Sequence, residues 1–262
     1  MGRRRWRSVL ALVLLIAGIA AACETVPYTG RSQLQFMSAE QESQLGIQAF
    51  QQTLAKAKLS SDASASEMVT RVGSRIAAVT GHPDYRWEYR LIQDDKQANA
   101  FALPGGKVAV YTGILPITRD ENGLAAVLGH EIGHVVARHG GERVSQQMLV
   151  NVGLEATMAA LSRGNPATVQ SVASLLGAGA TVGVLLPWSR AQESEADHLG
   201  LILMAKAGYD PHAARDLWVR MAAASQGSGK PPEFLSTHPS EPTRIRQIEA
   251  WLPEAMQSYH PR

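Results

Sequence analysis

The sequence predicts a mainly helical α+β fold with one small β-sheet, and three observations lead to this fold class. Apolar residues make up 45% of the 262 residues and charged residues 18%, a composition typical of globular proteins. Apolar residues recur at helical spacing over most of the chain. Residues 86–92 and 107–112 instead alternate in polarity or are β-branched, which is typical of strands.

An export leader is the first predicted element. Residues 2–7 are cationic, and residues 9–22 form a run of 14 apolar or small residues that ends in three alanines. This run is shorter than the ~20 residues that span a bilayer as a helix. Together these features indicate a signal peptide over residues 1–22, after which 240 of the 262 residues remain.

Cys23, the single cysteine of the chain, follows the leader directly. A lone cysteine excludes an intrachain disulfide framework. The residues before it resemble the lipobox of bacterial lipoproteins, although position 20 is Ala where such boxes usually have Leu. The resemblance implies a lipid on Cys23, a tether over residues 23–37 and, because Glu24 follows, anchoring in the outer membrane. Cleavage without lipidation and an uncleaved anchor are the alternatives.

The remaining elements are helices interrupted by one sheet. The predicted helices span 38–58 and 63–80, and the predicted strands span 86–92, 99–103 and 107–112. After these we predict a helix capped by Asp120, a helix from Ser189 to before Gly208 and a helix after Pro211. A loop over 226–232 then leads to residues 236–239 and to a final helix over 241–251. Residues 172–186 are all apolar or small and include three glycines. They fit either a buried core helix or a surface that touches lipid or covers a cleft.

The charge distribution excludes one class of partner. The net charge is +2, and five of the 25 Lys and Arg residues lie within the first 31 positions. The rest of the chain has no basic stripe interleaved with aromatic residues. We therefore expect no nucleic acid partner.

A His-Glu-x-x-His motif, His130 to His134, lies inside the helix that Asp120 caps. Residues four apart on a helix share a face, so both imidazoles can bind one ion, and the spacing suits zinc. Glu131 stands beside the open position of the ion, where it can take a proton from metal-bound water that attacks a carbonyl. The motif predicts one Zn²⁺ per chain, with Glu131 as general base.

A catalytic zinc needs a third protein ligand. The metzincin arrangement is excluded, because it requires Gly at 137 and His at 140, whereas the chain has Ala137 and Gly140. His139 lies five residues after His134, on a different face of a continuous helix, which favours a packing or surface role.

The acids of a later helix are the remaining ligand candidates. Glu193 and Asp197 are four residues apart and share a face, so one can bind the metal while the other hydrogen-bonds a ligand histidine. Spacing alone does not say which is the ligand. Glu195 points elsewhere, and we expect it to be solvated.

Four separated blocks of the chain resemble peptidase family M48. They are NAFALPGGKVAVYTG (99–113), HEIGHVVARH (130–139), SRAQESEADHLG (189–200) and STHPSEPTRI (236–245). They occur in the order found in the family, and the chain is most similar to its small LoiP- and BepA-like periplasmic lipoproteins. The resemblance implies a zincin-like metallopeptidase domain over residues 38–262, with the small sheet beside the HExxH helix.

The family resemblance also implies individual roles. It makes Glu193 the third zinc ligand and Asp197 the residue that hydrogen-bonds a ligand histidine. It further implies that an edge strand of the sheet binds substrate as an added antiparallel strand. Here that strand is Lys107–Tyr111, with the backbone of Val108, Ala109 and Val110 facing the peptide and Asn99 close by.

His238 and Arg244 match a histidine and an arginine that face the active site in similar proteins. Two roles follow from the resemblance: stabilisation of the transition-state oxyanion, or a latch in which His238 fills the open zinc position. An exposed loop histidine is the third possibility. We favour the latch, because an unrestrained protease is hazardous to envelope proteins and His238 lies in a Pro- and Gly-rich segment.

The resulting prediction is a zinc metalloendopeptidase on the periplasmic side of a bacterial envelope, attached to the membrane through Cys23. Its predicted substrates are unfolded or misassembled envelope proteins. Two alternatives remain open. One is a chaperone-like assembly factor for outer-membrane proteins, in which peptide binding matters more than cleavage. The other is a zinc hydrolase of non-peptide substrates.

Overall fold

The computed structural model describes residues 23–27, 29–161, 189–227, 232–238 and 242–261. The predicted leader, residues 1–22, and the segment 172–186 lie outside the described residues. The chain divides into two compact units, Met1–Ser38 with Gly141–Val184 and Ala39–Gly140 with Leu185–Arg262. None of the helices described is both long and apolar enough to span a bilayer.

The described part of the first unit contains a short hairpin. Strand β1 (Cys23–Thr25) pairs antiparallel with β2 (Ser32–Leu34). Arg31 binds Glu142 through two hydrogen bonds, Nη1 to Oε1 at 2.7 Å and Nη2 to Oε2 at 2.8 Å. Much of the segment that we expected to be a tether, residues 23–37, is therefore paired structure, because the backbone pairing and the bidentate ion pair hold it.

The second unit contains most of the helices. The helices of the described chain are α1 (Ala39–Leu54), α2 (Ala63–Ala77), α3 (Leu115–Thr118), α4 (Glu121–Val136), α5 (His139–Leu161), α6 (Arg190–Lys206), α7 (His212–Gly227), α8 (Glu233–Thr237) and α9 (Pro242–Met256). The predicted fold class, mainly helical with a small sheet, is confirmed.

A three-stranded sheet belongs to the same unit. β3 (Glu88–Ile92) and β5 (Lys107–Tyr111) are parallel, and β4 (Ala100–Leu103) pairs antiparallel with the other side of β5. The three predicted strands are confirmed. Gly105 and Gly106, each with a φ of 80°, form the β4–β5 turn in a conformation that L side chains rarely adopt.

The predicted substrate-binding strand is wrong. We expected a peptide to add along Lys107–Tyr111, but β5 is the central strand of the order β3-β5-β4. Its backbone is paired on both sides, and Val108, Ala109 and Val110 each have 0% exposed surface. No further strand can add there. Among the described residues, the outer side next to Asn99 belongs to β4.

Helix α4 is buried along almost its whole length. Asp120 caps it as predicted, since the carboxylate accepts a hydrogen bond from Gly123 N–H at 2.8 Å. Every residue from Gly123 to Val136 is buried, as expected for a helix that is apolar on all sides. The helix packs against α2, α6, α7 and β4.

Small residues bring α4 and α6 close together. A Cβ atom on Gly129 would fall 2.8 Å from Gly200 O, and one on Gly133 would fall 2.8 Å from Ala196 O. The two helix backbones can approach this closely only because side chains are absent at Gly129 and Gly133. This approach places the HExxH motif of α4 against the acidic first turn of α6.

Helix α6 begins where the sequence predicts. Ser189 Oγ accepts a hydrogen bond from Gln192 N–H, and the Gln192 side chain accepts one from Ser189 N–H at 3.2 Å. This reciprocal capping box fixes the first turn of the helix.

Two C-terminal elements go beyond the prediction. Residues 233–237, which follow the predicted loop over 226–232 and for which no helix was predicted, form the short helix α8, and its Phe234 is fully buried. Helix α9 runs to Met256 rather than to residue 251, because Ala255 continues its buried face past Pro253.

Candidate metal centre

Four buried side chains from three places in the second unit converge on one point. His130 and His134 come from α4, Glu193 from the first turn of α6, and His238 from the residue after α8. One donor atom from each residue lies within 4.8 Å of the other three. The helical spacing predicted for the two motif histidines therefore places them on one face, opposite the acid of α6.

The donor atoms are spaced like the ligands of a metal ion. His130 Nε2 lies 3.1 Å from His134 Nε2 and 3.0 Å from His238 Nδ1. Glu193 Oε1 lies 3.2 Å from His134 Nε2 and 2.9 Å from His238 Nδ1. Ligands bonded to a tetrahedral zinc at about 2.0–2.2 Å stand about 3.3–3.6 Å apart, slightly farther than these four pairs. Imidazole nitrogens with one carboxylate oxygen therefore fit zinc in chemistry, and a small outward shift of the side chains would give its spacing.

The protonation states also suit a cation. Burial lowers the pKa of His134, so the ring is neutral and offers the lone pair that a metal needs. Burial raises the pKa of Glu193, but the His130 ring, hydrogen bonding to His134 and His238 and the Arg244 guanidinium together lower it below its ordinary range. Glu193 is therefore ionised, as a zinc ligand must be.

Glu131 lies beside these four side chains and is buried. Burial raises its pKa to about 8. Its carboxylate accepts a hydrogen bond from Ala102 N–H of β4, and His238 Nε2 lies 3.3 Å from its Oε1. Because a cation stabilises a nearby carboxylate, zinc in this pocket would lower that pKa and leave Glu131 able to accept a proton near neutral pH.

Asp197 hydrogen-bonds the ring of His130, whose Nδ1 lies 2.9 Å from Asp197 Oδ1. Arg244 of α9 donates from Nε to Asp197 Oδ2 at 2.5 Å and from Nη2 to Oδ1 at 2.8 Å. The guanidinium stacks on the Trp218 ring of α7, 3.5 Å from the ring centroid. Asp197 thus favours the tautomer in which His130 Nε2 is free for the ion, and Arg244 holds Asp197 in place.

Phe234 anchors His238. The two rings stack with their centroids 4.5 Å apart, and His238 is only 3% exposed. Phe234 also packs against Trp218, and its N–H donates to Ala98 O, just before β4, at 3.0 Å. The possibility that His238 is an exposed loop residue is therefore excluded. Pro239, which follows it, lies outside the described residues.

Two expectations about neighbouring residues need correction. His139 is fully buried, as a packing role predicts, but it does not lie on a face apart from His134, since their Nδ1 atoms are 2.8 Å from each other. Glu195 is not solvated, since it is buried with Oε2 2.9 Å from His139 Nε2. The reason is the backbone: α4 ends at Val136, and Arg138, with a φ of 56°, turns the chain so that His139 starts a new helix against His134.

Two kinds of residue at the centre were not predicted from the sequence: supporting aromatic residues and glycines at a helix contact. Trp218 and Phe234 support Arg244 and His238, but an isolated aromatic residue on a helix gives no signal that separates it from the core. Gly129 and Gly133 did give a signal, because two glycines four apart beside a ligand motif indicate a close helix contact.

Comparison with known proteins agrees with this centre. The sequence model of peptidase family M48 matches residues 63–252. The chain is 43% identical over 235 residues to the mitochondrial metalloendopeptidase OMA1 of Schizosaccharomyces pombe, an alignment that covers 88% of the chain and 67% of that protein. It is 36% identical over 186 residues to the mitochondrial metalloendopeptidase OMA1 of Saccharomyces cerevisiae, covering 66% of the chain and 49% of that protein.

A bacterial protein is similar as well. The chain is 30% identical over 251 residues to the beta-barrel assembly-enhancing protease of Yersinia pestis, covering 91% of the chain and 51% of that protein. The chain thus spans two thirds of the fission yeast protein and about half of the other two. The family match covers more than half of the chain and includes His130, Glu131, His134 and Glu193. The chain therefore belongs to peptidase family M48 and has the zinc metallopeptidase domain of that family.

Proposed function

We propose that the chain is a zinc-dependent endopeptidase of the bacterial cell envelope that cleaves misfolded or misassembled proteins. The observation that supports this most is the convergence of His130, His134 and Glu193 on one point, with Glu131 buried beside it. Zinc held by these three side chains would supply a Lewis acid that acidifies water and polarises a peptide carbonyl.

Glu131 is the catalytic base in this proposal. The hydrogen bond from Ala102 N–H orients its carboxylate, and its Oε1 makes no hydrogen bond to the part of the chain that the structure describes. Oε1 accepts a proton from the attacking water, and the same carboxyl group then donates it to the leaving amine nitrogen. Asp197 keeps the His130 ring oriented throughout.

Strand β4 is the strand that we propose for peptide binding. Tyr111 N–H donates to Asn99 O, and the pairing alternates from there, so Ala100 and Ala102 direct their backbone groups away from β5. Asn99 Oδ1 accepts the Ala100 N–H at 2.9 Å. An extended peptide would pair with the Ala100 N–H and with the outward-facing carbonyls once the Asn99 side chain moves aside, while the Ala102 N–H stays bound to Glu131. Recognition through the backbone implies little sequence preference.

We assign His238 to a latch. Its Nδ1 lies 3.0 Å from His130 Nε2, where a fourth ligand would stand, and its Nε2 faces Glu131 Oε1 at 3.3 Å. It therefore competes with water for both the metal and the base. The expected result of His238→Ala is faster caseinolysis. A collapse of the rate with zinc retained would instead assign His238 to catalysis.

Arg244 is better suited to positioning than to binding an oxyanion. Its guanidinium contacts Asp197 through Nε and Nη2, and Nη1 lies 2.7 Å from Glu193 Oε2. Its donors are directed at two carboxylates, so we assign it to holding Glu193 and Asp197 in place.

The compartment is proposed from the sequence, because similar proteins are named as mitochondrial and as bacterial enzymes. Cys23 follows the predicted signal peptide and is exposed at the start of β1. We expect palmitate labelling of the wild-type chain in a Gram-negative host, and outer-membrane fractionation, with both lost in Cys23→Ser. Unlabelled wild-type protein would contradict the lipid anchor.

Glu131→Gln tests the peptidase mechanism directly. Removal of a positioned base typically costs on the order of 10²–10⁴ in rate, so casein cleavage should fall by that factor while one zinc stays bound. Glu249→Gln is the matched control, because Glu249 is an exposed carboxylate that pairs with Arg215, and this variant should cleave casein normally. Normal cleavage by zinc-loaded Glu131→Gln would mean that the proposed mechanism is wrong.

A chaperone-like assembly factor is the second candidate, favoured by the outward-facing backbone of β4 and by similarity to a beta-barrel assembly-enhancing protease. Full complementation of a deletion strain by Glu131→Gln would favour this candidate. A hydrolase of non-peptide substrates would be favoured by an unbiased proteome digest that yields no new peptides.

A further inference from the structure

We propose that His139 and Glu195 form a positioning pair for the zinc ligand His134. The inference rests on the proposed zinc site and deepens it. His139 Nδ1 lies 2.8 Å from His134 Nδ1, and His139 Nε2 lies 2.9 Å from Glu195 Oε2. All three side chains are buried, with exposed fractions of 0% for His139, 4% for His134 and 5% for Glu195.

The direction of the two hydrogen bonds follows from the atom that faces the metal. His134 Nε2 points at Glu193 and His130, so it must be unprotonated to bind a cation. The neutral ring then has its proton on Nδ1, which donates to His139 Nδ1. The His139 proton is consequently on Nε2, which donates to Glu195 Oε2. A carboxylate at the end of the chain thus selects the tautomer of His134 that binds zinc.

Helix geometry explains why two residues are needed. Asp197 reaches the His130 ring directly, at 2.9 Å. Glu195 lies two positions after Glu193, about 200° around the same helix, and cannot share the metal-facing side. The His139 ring spans the distance between Glu195 and His134. Each motif histidine therefore has its own acid on α6, one acting directly and one through an imidazole.

The position of His139 is fixed by the backbone before it. Arg138 has a φ of 56°, which is uncommon for a residue with a side chain. Its Nη2 donates to Glu42 Oε1 of α1 at 2.6 Å, and the Glu42 side chain is 4% exposed. This buried ion pair stabilises the turn that directs the His139 ring at His134.

Zinc affinity tests the proposal without measuring cleavage. We would load wild type, His139→Phe, His139→Asn and Glu195→Gln with zinc in competition with a chromophoric chelator. Loss of a partner of a ligand histidine typically weakens metal binding about 10–100-fold, which is the expectation for His139→Phe. Asn places Oδ1 near the former Nδ1 and can still accept the His134 proton, so His139→Asn should recover most of the affinity.

Glu195→Gln retains an acceptor but not the charge, so we expect a smaller loss of about 3–10-fold. The absorption spectrum of the cobalt-substituted protein should change with His139→Phe and return toward wild type with His139→Asn. A merely structural role would not give this recovery.

The chain offers a matched control on the same helix. His198 Nε2 lies 2.8 Å from Glu254 Oε2, away from the centre. His198→Phe and Glu254→Gln should change zinc affinity by less than about twofold, as expected for partly exposed pairs.

The proposal is overturned if His139→Phe binds zinc as tightly as His198→Phe. Circular dichroism checks folding, and if His139→Phe does not fold, unchanged affinity in Glu195→Gln overturns the proposal. If His139→Phe weakens zinc binding while Glu131→Gln still cleaves casein, the proposed mechanism is wrong but the positioning pair stands. A wild-type chain that binds no zinc would remove both.

Discussion

Gly200 of α6 and Gly129 of α4 are in near contact, so that a Cβ atom on Gly200 would fall 2.7 Å from the Gly129 carbonyl carbon. The same atom would fall 2.7 Å from His130 N. The distance between α4 and α6, and with it the distance from Glu193 to the motif histidines, is therefore set by residues without side chains, Gly129 and Gly200 here and Gly133 one turn farther along α4.

Gly200→Ala should force these helices apart. Overpacking of this kind typically costs about 1–3 kcal/mol of unfolding free energy, and the displaced ligands should weaken zinc binding at least about tenfold. Urea unfolding and zinc competition measure the two effects. Gly140→Ala is the control, because among the described residues its Cβ would meet only Pro104 Cγ, at 3.9 Å. Equal stability and affinity in both variants would contradict the prediction.

Asp197→Asn should weaken zinc binding about 10–100-fold. The amide oxygen can still accept the His130 Nδ1 proton, but the charge that favours this tautomer and attracts Arg244 is lost. Chelator competition measures the change. The control is Asp216→Asn, because Asp216 is exposed and pairs with Arg215, and this variant should bind zinc like wild type. If Asp197→Asn also bound zinc like wild type, the contact between Asp197 and His130 would have no role in metal binding.

Arg244→Lys should destabilise the centre although the charge is kept. An ammonium group cannot make the paired contacts to Asp197 or stack on Trp218 as the guanidinium does. We expect a loss on the order of 2 kcal/mol in unfolding free energy and weaker zinc binding. Thermal unfolding measures the loss, with Arg215→Lys as the control, because Arg215 forms an exposed ion pair with Glu249 that contributes little to stability. Identical melting temperatures would refute this role.

Tyr89 should make stability depend on pH in the alkaline range. Burial raises the pKa of Tyr89 to about 12, above the value of about 10 in the unfolded chain. The folded state thus retains a proton that the unfolded state loses, so unfolding free energy falls as pH rises from 10 to 12. Relative to Tyr89→Phe, wild type should lose about 1–2 kcal/mol over this interval. If the unfolding free energies of wild type and Tyr89→Phe fell in parallel as pH rises, the Tyr89 hydroxyl would not be the cause of the alkaline loss of stability.

The sequence predicts features that depend on neighbouring residues. The starts of α2, α4 and α6 follow from apolar spacing and, for α4, from the cap Asp120, whereas α2 ends at Ala77 rather than at residue 80. The approach of His130 to His134 follows from one helical turn. These interactions lie within a few residues, so local chemistry determines them.

Features that depend on tertiary arrangement were beyond the sequence. Strand order within the sheet is set by pairing between distant segments, which alternation along the chain does not specify, so Lys107–Tyr111, expected at an edge, lies at the centre. His139 was assigned by assuming that α4 continues, whereas one residue of positive φ, Arg138, ends that periodicity. Trp218 lies against Arg244 through packing between separate helices, and spacing along the chain does not record it.

The hydrogen bond from Ala102 N–H to Glu131 ties the base to the sheet. On the proposed mode of binding, a peptide pairs with the same strand, so its backbone would lie at a fixed distance from the proton acceptor whatever its side chains. Selection would then act on whether a segment has unpaired main-chain groups. A folded protein, whose strands already have partners, would escape cleavage, whereas an unfolded segment of almost any sequence would be a substrate.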